Sequence, residues 1–146
     1  MTSYLLKCEL EALKATSQIK NESIVKLYDI VVAENHCHIA MELLEGGTLK
    51  DYLSQCKKID EDKSILILGR ILEGYRILKN NRIVHRDLKP DNIIFTADPQ
   101  QEHSTPKIID LGYCEIDTVT SKPQMFYNVG SPRYMSPEAY TSNQYS

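Results

Sequence analysis

Residues 60–81 read DEDKSILILGRILEGYRILKNN, and this stretch constrains the fold more than any other. Ile65, Leu68, Leu72 and Tyr75 recur at helical spacing, while Ile67, Ile71 and Leu78 fall between them, so apolar side chains cover most of the circumference. Such a helix is expected to be largely buried and to centre the core. The acidic start Asp60-Glu61-Asp62 suits the positive end of the helix dipole. With 146 residues, 42% hydrophobic and 25% charged, the chain has the composition to enclose that helix in roughly one domain.

The rest of the chain mixes helix and strand. Residues 4–15 place Leu6, Leu10 and Leu13 at i, i+4 and i+7, which predicts a helix with one apolar stripe. SIVKLYDIVVAENHCHIAMELL then reads as an antiparallel hairpin around the polar turn AENH. Gly46 and Gly47 suit a flexible connector, and TLKDYLSQC resumes helical spacing with Thr48 as its N-cap. NIIF and PKIID are short strand-like runs, and residues 111–137 read as a long irregular loop, a length that loops rarely reach without a function.

Charge and cysteine usage exclude several classes. A net charge of -3 gives no electrostatic footprint for nucleic acid or an anionic membrane. The longest apolar run, ILIL at 65–68, is far short of a membrane span, and the first ten residues lack the pattern of a signal peptide, which together predict a cytoplasmic or nuclear chain. Cys8, Cys37, Cys56 and Cys114 are scattered with no C-x-x-C pair, and read as small apolar residues before a disulfide framework or zinc site. His36 and His38 would share one strand face, and a strand edge explains them better than a metal.

Three signatures follow one another in a telling order. HRDLKPDN at 85–92 matches H-R-D-L-x-x-x-N in full, DLG at 110–112 closes a strand-like run, and SPE at 136–138 ends GSPRYMSPE. With a helix carrying an internal Glu and a hairpin ending in MELLEGG ahead of them, this order resembles the eukaryotic protein-kinase family, with DLG standing for the usual D-F-G and SPE for A-P-E. DLKPDN resembles the serine/threonine rather than the tyrosine type, and GSPRYMSPE is similar to the Unc-51-like and NIMA-related groups. The implied fold is α+β and bilobal but partial. Residues 1–45 would form part of the small lobe (helix C, hairpin, hinge), and 46–146 part of the large lobe (catalytic loop, metal-binding loop, activation segment).

The resemblance implies transfer of the γ-phosphoryl group of ATP, with Mg2+, to a Ser/Thr hydroxyl of a protein substrate. Asp87 then accepts or orients the proton of the attacking hydroxyl, and Lys89, a compact cation, faces the phosphate. Asn92 and Asp110 offer hard oxygens to Mg2+. Met41 becomes the gatekeeper, the backbone of Glu42 and Leu44 faces the adenine, and Ile94 packs beneath it. His85 packs internally, and Arg86 receives a phosphorylated activation segment, with Thr118, Thr120 and Ser121 as candidate acceptors. Ser131 braces Asp87 and Lys89. Glu9 and Glu11 compete for the helix glutamate that pairs with a strand lysine; Glu9 borders the apolar stripe and is preferred. Leu111, in place of Phe, is apolar and of adequate volume to fill its position.

The family's G-x-G-x-x-G-x-V loop and V-A-I-K lysine do not occur in these 146 residues. Both ends read as cut, and Glu138 would lack the Arg that pairs with it in a further segment. The chain is therefore expected to be the central part of an active kinase. The alternative is a catalytically inactive, truncated kinase-like module that binds a regulatory partner.

Overall fold

The computed structural model describes residues 2–34, 36–56, 58–117 and 129–142. Helix α1 (Thr2–Ser17) opens the chain and packs on β1 (Leu27–Val32), which pairs antiparallel with β2 (Cys37–Met41). The buried face of α1 is set by Cys8, Ala12 and Thr16, joined by Leu13. Leu6 and Leu10, expected to form that stripe, are only half-buried. The small residues at i, i+4 and i+8 let the helix lie close to its neighbours, which Leu at those positions would prevent.

The connection at 18–26 carries almost no regular structure and is held by one side chain. Asn21 Nδ2 donates to the carbonyls of Thr16 and Ile19, while its Oδ1 accepts from the N–H groups of Ser23 (3.2 Å) and Ile24 (2.9 Å). Reciprocal bonds of 2.9 Å, Val25 N–H to Ile108 O and Ile108 N–H to Ser23 O, then staple the connection to a distant strand.

Helix α2 (Leu49–Gln55) begins at Thr48 with a capping box: Thr48 Oγ1 accepts from Asp51 N–H, and the Asp51 carboxylate accepts from Thr48 N–H. Helix α3 (Glu61–Asn80) is capped by Asp60, whose side chain accepts from Lys63 N–H at 2.8 Å. Two antiparallel ladders follow: β3 (Ile83–Val84) with β6 (Glu115–Ile116), and β4 (Ile93–Phe95) with β5 (Pro106–Ile108). A 3-10 turn at Pro90–Asn92 leads into β4, a second lies at Pro132–Tyr134, and α4 (Pro137–Ser142) ends the described chain. The strand β6 falls within the stretch expected to be irregular.

One apolar cluster ties these elements together, drawing Leu13 from α1, Ile67 and Leu78 from α3, Ile93 and Phe95 from β4, Ile108 from β5, and Leu111. Phe95 has no exposed surface and meets the Tyr52 ring edge-on at 5.6 Å between centroids. Burying such a ring contributes about 1.5–3 kcal/mol.

Helix α3 corrects the sequence expectation. It packs on β3 and β5 through one face, and its approach there is close: a Cβ on Gly74 would lie 2.8 Å from Ile108 Cδ1 and 2.9 Å from Ser23 O. Only Ile67, Gly74 and Leu78 are buried, whereas Ile65, Leu66, Leu68, Leu72 and Tyr75 are exposed. Among the described residues no element lies over that second face. The apolar count around a helix says how many faces could be buried, and the number of neighbours decides how many are. No described helix is long and apolar enough to cross a membrane.

Candidate active site

The ladders β3–β6 and β4–β5 frame the loop 85–92 between them. His85 is buried; its Nε2–H faces the Ile109 carbonyl at 3.3 Å and its Nδ1 accepts from Asp87 N–H. Burial holds the imidazole below its ordinary pKa against the pull of the Ile109 carbonyl, Asp110 and Asp87, so it stays neutral and serves as a rigid spacer.

Asp87 is buried, 4% exposed, and held from several sides. Its Oδ1 accepts from Ser131 N–H at 2.8 Å; its Oδ2 accepts from Lys89 Nζ at 2.7 Å and from Asn92 Nδ2 at 3.2 Å. Lys89 Nζ also donates to Ser131 Oγ at 2.8 Å, and Asn92 Nδ2 to the Asp87 carbonyl at 2.9 Å. Burial pushes the Asp87 carboxyl up, but Lys89 and both the hydroxyl and N–H of Ser131 outweigh it and leave the pKa below its ordinary value. Lys89 is raised in turn, chiefly by its bond to Asp87.

The second cluster forms where β5 ends. Asp110 has φ +60° and accepts from Gly112 N–H at 3.0 Å, and Arg86, next to Asp87, has φ +64°. Left-handed backbone at non-glycine residues costs on the order of 1–3 kcal/mol and tends to gather at functional sites; two of the three such residues described lie here, the third being Arg82 in the turn after α3. The Glu9 carboxylate reaches this corner from α1, its oxygens 3.9 and 4.0 Å from where a Cβ on Gly112 would stand. Burial, then the neighbouring Asp110, raises its pKa. Glu11, by contrast, is exposed and sits 3.9 Å from Lys7.

The chain as a whole is similar to known proteins. A family model described as "Protein kinase domain" matches residues 6–146. The chain belongs to the protein kinase family. Among curated relatives it is similar to human serine/threonine-protein kinase ULK1 (36% identical over 97% of this chain and 13% of that protein). It is similar also to serine/threonine-protein kinase atg1 of Dictyostelium discoideum (33%, 97% and 20%). The unc-51 kinase of Caenorhabditis elegans gives 34%, 97% and 17%. The chain thus spans a fifth or less of the relatives it matches. Its α+β architecture is that of a partial bilobal kinase fold.

The kinase fold gathers Asp87, Lys89, Asn92 and Ser131 by direct hydrogen bonds, with Asp110 and Glu9 in the adjoining corner. Leu111 is fully buried in the core, as its volume predicts. Met41 ends β2 and is 44% exposed, Leu44 is half-buried against the core, and Ile94 is half-buried in β4, bridged to Thr48. The N–H of Glu42 is spent on the Lys26 carbonyl at 2.9 Å, so its carbonyl is the group left to face a ring. Glu138 is exposed on α4 and lines a cavity of 480 Å³ behind the 85–88 loop. Thr118, Thr120 and Ser121 lie outside the described residues.

Two charged residues escaped the sequence reading. Lys107 in β5 donates to both Glu42 oxygens at 2.7 and 2.8 Å, and Lys26 N–H donates to Glu42 Oε1, so this pair pins the chain just after β2 to β5. A lone Lys within the apolar run PKIID was the available signal. Lys107→Met is expected to lower stability by about 1–3 kcal/mol, because it leaves a mostly buried carboxylate short of a donor; a urea midpoint measures it. The second is Glu115, which pairs with Arg86 at 2.8 Å. Nothing in the sequence around it marks it.

Proposed function

We propose that this chain is the phosphate-facing part of a protein serine/threonine kinase, transferring the γ-phosphoryl group of ATP to a Ser or Thr hydroxyl of a protein. The observation that carries the reading is the Asp87 carboxylate, ionised and locked by Lys89, Asn92 and Ser131. In phosphoryl transfer the protein contributes positioning and charge, and these bonds supply both. Asp87 orients the acceptor hydroxyl and takes its proton. Lys89 presents a positive charge one hydrogen bond away, where negative charge develops on the transferred group. Asn92 Nδ2 is committed to Asp87, which leaves its Oδ1 to act as an acceptor, and with the Asp110 carboxylate it would offer hard oxygens to Mg2+. Mg2+, when bound, would neutralise phosphate charge there.

In this reading residues 1–45 belong to a small lobe and 46–146 to a large one, with Met41, Glu42, Leu44 and Ile94 along the adenine side. A cytoplasmic or nuclear location is part of the same proposal. The full-length protein with labelled ATP and Mg2+ is expected to yield phosphoserine or phosphothreonine on a generic protein acceptor. Phosphotyrosine alone, or no label above a protein-free control, overturns the reading.

The pKa direction gives a further expectation. Asp87 is depressed below the ordinary carboxylate value of about 4, so its base form is complete throughout neutral pH. The stability it contributes is present above the unfolded-state value and lost as pH falls through the lower folded one. A rate profile between pH 5 and 8 should therefore show no acid limb from Asp87, and a limb within that range that disappears in Asp87→Asn would contradict the assignment.

A further inference from the structure

The ion pair between Lys107 and Glu42 takes no part in the transfer step, yet it joins two strands on the adenine side. Lys107 Nζ donates to Glu42 Oε1 at 2.7 Å and to Oε2 at 2.8 Å, and the pair is enclosed, with side-chain exposures of 10% and 16%. Lys50 with Asp91 and Arg70 with Glu22 are far more open to solvent, where ion pairs contribute little.

Glu42 is held from a second side as well. Its N–H donates to the Lys26 carbonyl at 2.9 Å, and its Oε1 accepts from Lys26 N–H at 2.6 Å. Backbone and carboxylate are therefore both fixed, one at the entry to β1 and the other on β5. The carbonyl is the polar group of Glu42 that no described group bonds. Lys107 also stands opposite Ile94 in the β4–β5 ladder, so the two side chains leave it on one face. One side chain thus rises beside Ile94 and sets where Glu42 lies relative to it.

Packing alone does not ask for this charge. Pro106 and Ile108 on either side of Lys107 are buried, and an apolar pair in place of Lys107 and Glu42 would serve the core as well. What the ammonium adds is direction. An acceptor held in one direction reads a base: a purine with an amine at C6 donates to it, whereas a purine without the amine leaves the carbonyl unpaired. A site built to hydrogen-bond one group rejects the analogue that lacks it, and a loose peptide that can turn away loses that discrimination.

We propose that Lys107 is a positioning residue for the nucleotide base: by gripping Glu42 it fixes the Glu42 carbonyl as an acceptor beside Ile94, and so makes the site require an amine at C6 of a purine. That a base lies there rests on the kinase reading; the clamp does not.

The test uses the full-length protein, with Mg2+, and two probes: ATP and purine riboside triphosphate, which keeps the ring nitrogens of ATP and lacks the amine. Wild type is expected to bind ATP about tenfold more tightly or better. Lys107→Met is expected to weaken ATP about fivefold or more and the analogue by less than about twofold, and Lys107→Arg to keep most of the preference. In transfer assays the KM for ATP should rise in step while kcat stays within about twofold. Because Lys107→Met strands the Glu42 carboxylate, a second variant adds Glu42→Gln; its Tm should return toward that of wild type while the preference stays low. Equal weakening of both nucleotides, which a merely structural role would give, overturns the proposal and leaves the kinase reading standing. So does a preference that recovers together with Tm in the double variant, or a fall in kcat at unchanged KM. The expected binding pattern without transfer by any form upholds the clamp and removes the kinase reading. Wild type that binds neither nucleotide overturns both.

Discussion

Asp87→Asn should lower kcat by about 10²–10⁴-fold, the usual worth of a positioned general base, or roughly 3–5 kcal/mol of barrier. The substitution keeps the shape and removes both the charge and the basic lone pair. It also sets up a local conflict. Oδ1 accepts from Ser131 N–H while Oδ2 accepts from Lys89 and Asn92, so an amide NH2 faces a donor whichever way it is turned. A stability loss of about 1–3 kcal/mol should accompany the kinetic one, measurable as a lower Tm. A variant that keeps wild-type kcat would remove Asp87 from the mechanism.

Gly130→Ala should also cost activity, less than Asp87→Asn and by an indirect route. Gly130 has φ +101°, and a Cβ there would lie 2.4 Å from the Arg86 carbonyl oxygen, a backbone atom held by the left-handed Arg86. The dihedral alone disfavours an L-residue by roughly 1–2 kcal/mol. Relief of the contact must move the chain at 130, and the next residue is Ser131, whose N–H and Oγ bind Asp87 and Lys89 at 2.8 Å each. Losing one hydrogen bond to a charged group is worth about 1.5–3 kcal/mol, so kcat should fall about 10–100-fold. If Gly130→Ala melts and turns over as wild type does, Ser131 does not position the base.

The parts legible in the sequence were those whose chemistry is local. HRDLKPDN confines Asp87, Lys89 and Asn92 to six residues, so their convergence needs only one loop and a 3-10 turn. Thr48 and Asp60 could be read as caps because the donors they satisfy lie three residues away. Helix geometry favours Glu9 over Glu11 at the edge of the apolar stripe, and in the structure Glu9 is half-buried within electrostatic reach of Asp110 while Glu11 is exposed. What escaped depended on distant partners. Lys107 meets Glu42 across 65 residues and Arg86 meets Glu115 across 29, and a single charged residue in a sequence does not announce its counter-ion. The exposed face of α3 escaped for the same reason, because burial belongs to the neighbours and periodicity sees only the helix itself. On α1 the leucines drew the eye, whereas the close contact is made by Cys8, Ala12 and Thr16, whose small size is the point.

In the proposed reaction Asp87 acts on the transfer step and not on holding the nucleotide, a task proposed for Asn92, Asp110 and the residues on the adenine side. Single-turnover transfer from labelled ATP and equilibrium ATP affinity, both with Mg2+, should be measured on the same preparation of full-length wild type and Asp87→Asn. Transfer is expected to slow by about 10²-fold or more, with ATP affinity changed by less than about threefold. Equal transfer by both proteins, or a loss that appears wholly in ATP affinity, would contradict it.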